Sequence, residues 1–391
     1  KMLENKIITN KTCGKLYIAG EYSILTAGQS AIIKNVNIFM ESRISFSDTD
    51  EYTVFSDMFD YKLTLEKDTF NNENILQNFD KNYLLICEAI SVMSEYLKLK
   101  NLEIKPFEMK ITGKMERDGK KFGIGSSGSV VILTIKSILS LYNLEISKEM
   151  LFKLSSYVLL KRGDNGSMGD IACISYENLI FYRSFDRKRI RELIEKETLE
   201  DVLETDWNYE ISELYFNEKE PNQKDKNSLS CEFLAGWTKE PAISKDLINI
   251  VKSSICESEN FLKDVEEIVK KLREAIKNGD KLAIKECIDE NGKLLENLDE
   301  NIYSNKLKEL VSATQGLDIC AKSSGAGGGD CGIAFSFDEK DTKIVVEKWK
   351  KEIKDLSEKV EQTIENIRDE FEKTQEEEIK LEEQGYNKQE L

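Results

Sequence analysis

Three glycine-bearing segments, one aspartate and a few lysines are the residues of this chain whose types and spacing suit chemistry on phosphate. The segment Gly123-Ile124-Gly125-Ser126-Ser127-Gly128-Ser129 stands directly ahead of an apolar stretch that reads as a helix from about Ser127 to Tyr142. Small residues let backbone approach an anion closely, and the first N–H groups of a helix point at it with about half a positive charge. The hydroxyls of Ser126 and Ser127 suit phosphate oxygens or Mg2+, and Lys120 and Lys121 just upstream add positive charge. The bland alternative is a flexible turn that caps a helix. Glycine, serine and lysine clustered at a helix start favour phosphate over that alternative. The segment is not a Walker A loop, because its lysines precede the glycines and no Gly-Lys-Ser/Thr follows.

The segment Ala321-Lys322-Ser323-Ser324-Gly325-Ala326-Gly327-Gly328-Gly329-Asp330-Cys331-Gly332 holds five glycines between a helical stretch and a strand. A mere linker of that make-up would lose much conformational entropy on ordering, so a loop whose backbone packs on a ligand is the better account. Lys322 and Ser323 would then hold a second phosphate. Gly14-Lys15-Leu16-Tyr17-Ile18-Ala19-Gly20-Glu21-Tyr22 puts one ammonium on a short strand before a Gly-Glu turn, a pattern that ordinary strands also show. In Asn165-Gly166-Ser167-Met168-Gly169-Asp170-Ile171-Ala172 the aspartate suits a helix N-cap or turn former, or a group that orients or deprotonates an acceptor oxygen.

Composition narrows the remaining choices. The 391 residues contain no histidine, which excludes a Ser-His-Asp triad, a His-ligated zinc and an imidazole proton shuttle. Phosphoryl transfer tolerates that lack, since its catalysis is mostly positioning and charge stabilisation. A formal net charge of −17 makes nucleic acid and anionic membrane poor partners, while leaving room for a locally basic pocket. No run of eighteen apolar residues suits a membrane helix, and the first residues lack a secretory layout. The eight cysteines form no CxxC pair and sit mostly in apolar strings, as expected of reduced core thiols in a cytoplasmic protein. A monomer or homodimer is expected.

The elements that must hold these residues mix strand and helix without a βαβ rhythm, which predicts an α+β chain of two domains. Residues 14–65 read as strands, with Ile38, Met40, Ile44 and Phe46 on one face at period two. Tyr83 to Leu97 reads as a helix, Leu102 to Ile111 as a strand, and Phe261 to Ile276, Lys281 to Leu298 and Lys306 to Thr314 as amphipathic helices. Gly332 to Phe337 alternates as a strand. The expected layout is an N-terminal domain over 1–196, an acidic polar linker over 197–228, a C-terminal domain over 229–360 and a charged helical or disordered tail over 361–391.

GKLYIAGEY, GIGSSGS and SSGAGGGDCG together resemble the three successive motifs of the GHMP kinase superfamily, in the same order. NGSMGDIA, YRSFDR, AGWTKEPA and AKSSGAGGGDCGIAF are similar to the phosphomevalonate kinase family within it, and the likeness spans roughly residues 11 to 340. The resemblance implies a GHMP fold with an N-terminal nucleotide-binding α+β domain and a C-terminal ferredoxin-like α+β domain. It implies ATP and phosphomevalonate as substrates and Mg2+ as cofactor. Gly123, Gly125, Ser126, Ser127 and Gly128 would hold ATP phosphates, with Ser127 nearest the metal. Lys15 and Asp170 would be the catalytic pair. Lys322, Ser323, Ser324, Gly325 and Gly327 would line the substrate side. A mevalonate or sugar kinase, or a fold that binds without catalysis, are the alternatives. The chain departs from the pattern at Cys13, where a proline is often found, and at Ser175-Tyr176-Glu177-Asn178, where a glycine pair is expected. It also has no glutamate where mevalonate kinases carry a second magnesium ligand, with Asp164 offered for that place.

Overall fold

The computed structural model describes residues 6–70, 79–113, 115–117, 119–216, 231–242, 248–249, 251, 253 and 258–352. Strands β1 (Ile8–Ala19), β2 (Ser30–Phe46), β3 (Glu51–Ser56) and β4 (Lys62–Glu66) come first, as the alternating pattern predicts. They join β5 (Phe107–Thr112), β8 (Ile180–Arg183) and β9 (Glu210–Glu213) in a seven-stranded sheet ordered β4-β3-β5-β2-β8-β9, with β1 paired to β2. All pairings are antiparallel except β3 with β5. β6 (Glu116–Arg117) and β7 (Lys120–Lys121) form a separate two-stranded hairpin.

Helix α1 (Leu84–Leu99) and helix α2 (Ser126–Leu141) follow the predicted spans closely. α2 is apolar on most sides because it is buried on most sides, lying against β1, β2 and α1. α3 (Lys148–Lys161), α4 (Gly169–Tyr176) and α5 (Arg187–Lys196) complete the helical layer. Ser147 caps α3 by accepting the Met150 N–H, and Asp186 caps α5 by accepting the Arg189 N–H.

The stretch expected to open an acidic linker at 197 is instead folded onto the first sheet. α6 (Leu199–Glu204) starts at the Thr198 cap, Trp207 is 1% exposed, and β9 pairs with β8 from Glu210 to Glu213. The acidic residues face outward, while Val202, Leu203 and Trp207 bury enough apolar surface to hold the segment down. Residues 217–230, which include the rest of that linker to 228, lie outside the described residues, as do 353–391, which include the expected tail.

The second half builds a three-stranded antiparallel sheet from β10 (Glu232–Trp237), β11 (Ile319–Ser323) and β12 (Cys331–Ser336), ordered β10-β12-β11. Helices α8 (Lys281–Leu298), α9 (Asn305–Ser312) and α10 (Glu339–Glu352) pack on it, and α7 (Glu259–Asn278) packs on α8 and on β2 of the first sheet, giving the expected α+β organisation. Alternation along β12 sends Ile333 and Phe335 into a core shared with the first half and Ala334 into a smaller core with Leu310, Val345 and Trp349. The shared core joins Ile18 and Ile32 of the first sheet to Val265 and Leu272 of α7. Glu266 of α7 adds polar stitching, accepting the Ser30 N–H at 2.8 Å and the Ser30 hydroxyl at 3.0 Å.

Candidate active site

Lys15 sits on β1 just past a register shift between Cys13 and Gly14, and its N–H donates to the Ile124 carbonyl at 2.8 Å. The first motif is thereby fastened to the loop that starts α2. Gly14 makes the fit possible, since a Cβ there would come within 2.8 Å of Ile124 Cδ1. Gly125 takes φ 88° as the residue before α2, a left-handed conformation that favours glycine, and a Cβ on it would lie 3.1 Å from Lys15 Cε. A Cβ on Gly128 would lie 3.2 Å from Asp170 Oδ2. Lys15 and Asp170 therefore flank the start of α2, the ammonium beside Gly125 and the carboxylate beside Gly128.

Asp170 stands in the first turn of α4, which opens at Gly169 directly after Met168 at φ 64°. Gly169 is required there: a Cβ would meet the Tyr17 hydroxyl at 2.5 Å. That hydroxyl is 2.9 Å from Ser167 Oγ, which in turn accepts the Gly169 N–H at 3.1 Å. Tyr17 lies two residues beyond Lys15 on the same strand face, with the Lys15 ammonium 5.3 Å from its ring centre. Burial pushes the Asp170 carboxyl above its ordinary value, and the Lys15 charge opposes that rise.

A cavity of about 540 Å³ opens beside this pair. Its wall includes Lys15, Tyr17, Glu21 and Tyr22 from the first motif, residues 163–167, and Gly325 and Ala326 from the third. The third motif is tied to the first at two points. Ser324 Oγ donates to the Tyr17 carbonyl at 2.7 Å, and the Tyr22 hydroxyl donates to the Ala326 carbonyl.

The structure thus brings Lys15, Gly125, Gly128, Asp170, Ser324 and Gly325 around one junction. Ser127 is exposed on the first turn of α2, beside Gly128, and Gly123 abuts Asp330, whose carboxylate occupies the space a Cβ would need. Ser126 opens α2, and Lys120 and Lys121 are exposed on β7.

Lys322 and Ser323 lie apart from the cavity wall. Lys322 is fully buried, its Nζ paired with Glu21 Oε1 and donating to the Ser323 carbonyl at 2.7 Å. The Ser323 N–H donates to the Tyr303 hydroxyl at 3.1 Å. Gly327, at φ 78°, packs on Ile302, whose carbonyl would be 2.5 Å from a Cβ. Tyr17, Glu21 and Ser167 are wall residues that motif reading passed over. The signal for Tyr17 and Glu21 is their even spacing from Lys15 along one strand and turn, whereas nothing local marks Ser167.

Comparison with known proteins identifies the family. A family profile described as GHMP kinases N terminal domain matches residues 84–178, and one described as GHMP kinases C terminal matches 272–355. The solved structure of Streptococcus pneumoniae phosphomevalonate kinase in complex with phosphomevalonate and AMPPNP is 47% identical. It covers 88% of this chain and 96% of that one, with a TM-score of 0.79. The phosphomevalonate kinase of Streptomyces sp. (strain CL190) is 26% identical over 368 residues, 88% of this chain and 94% of its own length. Methanococcus jannaschii mevalonate kinase, at 22% identity and a TM-score of 0.65 over 90% of this chain and 96% of that one, shares the fold. With 47% identity sustained over 88% of its length and a family match in each half, the chain belongs to the GHMP kinase family, where it groups with the phosphomevalonate kinases.

Proposed function

We propose that this chain transfers the terminal phosphoryl group of ATP to the phosphate of 5-phosphomevalonate, giving 5-diphosphomevalonate and ADP. The bond from the terminal phosphorus to the bridging oxygen of ATP breaks, and a new bond forms from that phosphorus to an oxygen of the acceptor phosphate. The observation that carries the reading is the junction itself: Lys15 and Asp170 flank the start of α2, and Lys15 lines a cavity whose wall also includes Gly325 and Ala326 of the third motif. A glycine-rich helix start suits the phosphates of the nucleotide, and a cavity of about 540 Å³ suits a small acceptor. The 47% identical relative was solved with phosphomevalonate and an ATP analogue.

The acceptor oxygen of a phosphate monoester is already ionised near neutral pH, so Asp170 has little proton to remove. Its role is to hold Lys15 and the acceptor in line, while Lys15 neutralises charge on the transferring group. Gly123, Gly125, Ser126 and Gly128 present backbone to the nucleotide phosphates, with Lys120 and Lys121 supplying charge from the neighbouring hairpin.

The donor set fits a magnesium ion that arrives on the nucleotide. Among the described residues no three His, Cys, Asp or Glu side chains form a metal cluster, yet the exposed Ser127 hydroxyl stands next to Gly128, and Gly128 abuts the Asp170 carboxylate. A hydroxyl, a carboxylate and phosphate oxygens are the hard ligands Mg2+ prefers. When bound, the ion neutralises phosphate charge as a Lewis acid.

An ADP-release assay with ATP and Mg2+ over phosphomevalonate, mevalonate and galactose tests the proposal. Phosphomevalonate is expected to be turned over fastest; faster turnover of either other acceptor overturns it.

A further inference from the structure

Phosphomevalonate carries two anionic ends, a phosphate and a carboxylate, and among the described residues of the cavity wall one side chain, Lys15, is a cation. The wall's other charged side chains among the described residues are the carboxylates of Glu21 and Asp164. Lys15 stands beside Asp170 and the nucleotide loop, where the acceptor phosphate must be. Lys322 is consumed by Glu21 inside the protein. An enclosed carboxylate without a partner is costly, so the second anionic end needs a cation supplied from just behind the wall.

Two guanidinium groups meet that need. Arg187 and Arg191 lie four residues apart on α5, on consecutive turns of one helix face. Arg187 closes the YRSFDR segment, to which the phosphoryl-transfer machinery gives no role. Its Nη2 donates to the Leu25 carbonyl and its Nη1 to the Phe185 carbonyl at 3.1 Å. Arg191 Nη1 donates to Asn165 Oδ1. Leu25 and Asn165 are both cavity wall, so the two arginines back the same side of it.

Among the described residues neither guanidinium is in an ion pair, in a chain with 73 acidic residues against 56 basic ones. The acids at hand are occupied by backbone: Asp186 accepts the Arg189 N–H at 3.0 Å, and Asp164 accepts the Gly166 N–H at 2.7 Å. Burial, and to a lesser degree the neighbouring Arg191 charge, lower the proton affinity of Arg187, which Asp186 offsets only in part. An incoming carboxylate would relieve that repulsion and gain charge-assisted, forked hydrogen bonds.

We propose that Arg191, backed by Arg187, receives the carboxylate of phosphomevalonate at the wall formed by Leu25 and Asn165, so that the substrate lies between α5 and Lys15. This rests on the functional reading above. It makes α5, outside the three glycine motifs, the element that selects for the acid end of the acceptor.

The test compares wild type, Arg191→Gln and Arg191→Lys with phosphomevalonate and with its carboxamide, in which the acid end is neutral. Arg191→Gln is expected to raise KM for phosphomevalonate at least tenfold, with kcat and KM for ATP within threefold of wild type, and Arg191→Lys to recover part of the loss. Wild type should lose a similar factor on the carboxamide, and Arg191→Gln should add no more than about twofold to it. A KM for phosphomevalonate within twofold of wild type in Arg191→Gln overturns the assignment. So does an equal further loss on the carboxamide, because Arg191 would then act only by holding Asn165. If wild type prefers mevalonate, the functional reading fails by itself. The same comparison with mevalonate and its amide, which present the same acid end, then decides the carboxylate contact.

Discussion

At the scale of single residues, Asp170 is governed by two opposing influences: burial drives its carboxyl towards the protonated form, and Lys15 draws it back. The native pKa therefore lies above that of an ordinary aspartate, and the ionised form that can align Lys15 is lost as pH falls through that raised value. The acid limb of kcat against pH is expected at higher pH than an unperturbed aspartate would give. Asp170→Asn, close to isosteric, should fold normally, lose about a hundredfold or more in kcat and flatten that limb. Near-normal kcat would reduce Asp170 to a turn residue. Lys322 teaches the opposite lesson. Its glycine-rich setting suggests a phosphate ligand, but its partner Glu21 is 301 residues away in sequence, and only folding reveals that the charge is already spent. Lys322→Met leaves the Glu21 carboxylate buried and alone, and denaturant unfolding should show a loss of about 3–5 kcal/mol. Adding Glu21→Gln should restore part of it; a stable Lys322→Met single variant would mean that Glu21 finds water or another partner. Lys15 and Asp170, by contrast, sit in local motifs, and the structure places both beside the start of α2.

At the scale of elements, the start of α2 works because Gly125 does two things that no other residue can. It takes a left-handed turn, and it leaves room for the Lys15 side chain 3.1 Å from where a Cβ would stand. Gly125→Val should displace Lys15 and crowd the nucleotide phosphates, raising KM for ATP and lowering kcat by at least about tenfold. Unchanged ATP binding would show the loop to be only a helix start. The elements that could be read from sequence were those with one wet face or strict alternation, such as α1, α7, α8 and β12. α3 escaped notice because it is buried from Leu151 to Leu160 and so shows no apolar stripe, although Ser147 and Glu149 mark its start. α6 and β9 were hidden in acidic text whose anchors, Val202, Leu203 and Trp207, are too few and irregular to give a period.

At the scale of the whole molecule, one apolar core runs through both halves, and polar contacts between α7 and the first sheet hold them in register. Arg273 of α7 adds to these: its guanidinium lies 4.0 Å from the Phe181 ring centre and 3.0 Å from Glu210 Oε1. Arg273→Ala should cost about 1–2 kcal/mol and lower the melting temperature by about 2–4 °C. An unchanged melting temperature would mean that the apolar core alone joins the halves. That union matters for function because the cavity draws its wall from the first motif in one half and the third in the other. The substrate is therefore enclosed only when the halves are docked. The central claim is that the group so enclosed accepts phosphoryl on phosphate. Phosphorus NMR of a reaction with ATP, Mg2+ and phosphomevalonate tests it most directly. The account predicts that the phosphomonoester signal of phosphomevalonate disappears while a pair of mutually coupled diphosphate signals appears alongside ADP, and that Asp170→Asn abolishes the change on the same timescale. ADP formed while the phosphomonoester signal persists, or a second uncoupled phosphomonoester signal in its place, would contradict it.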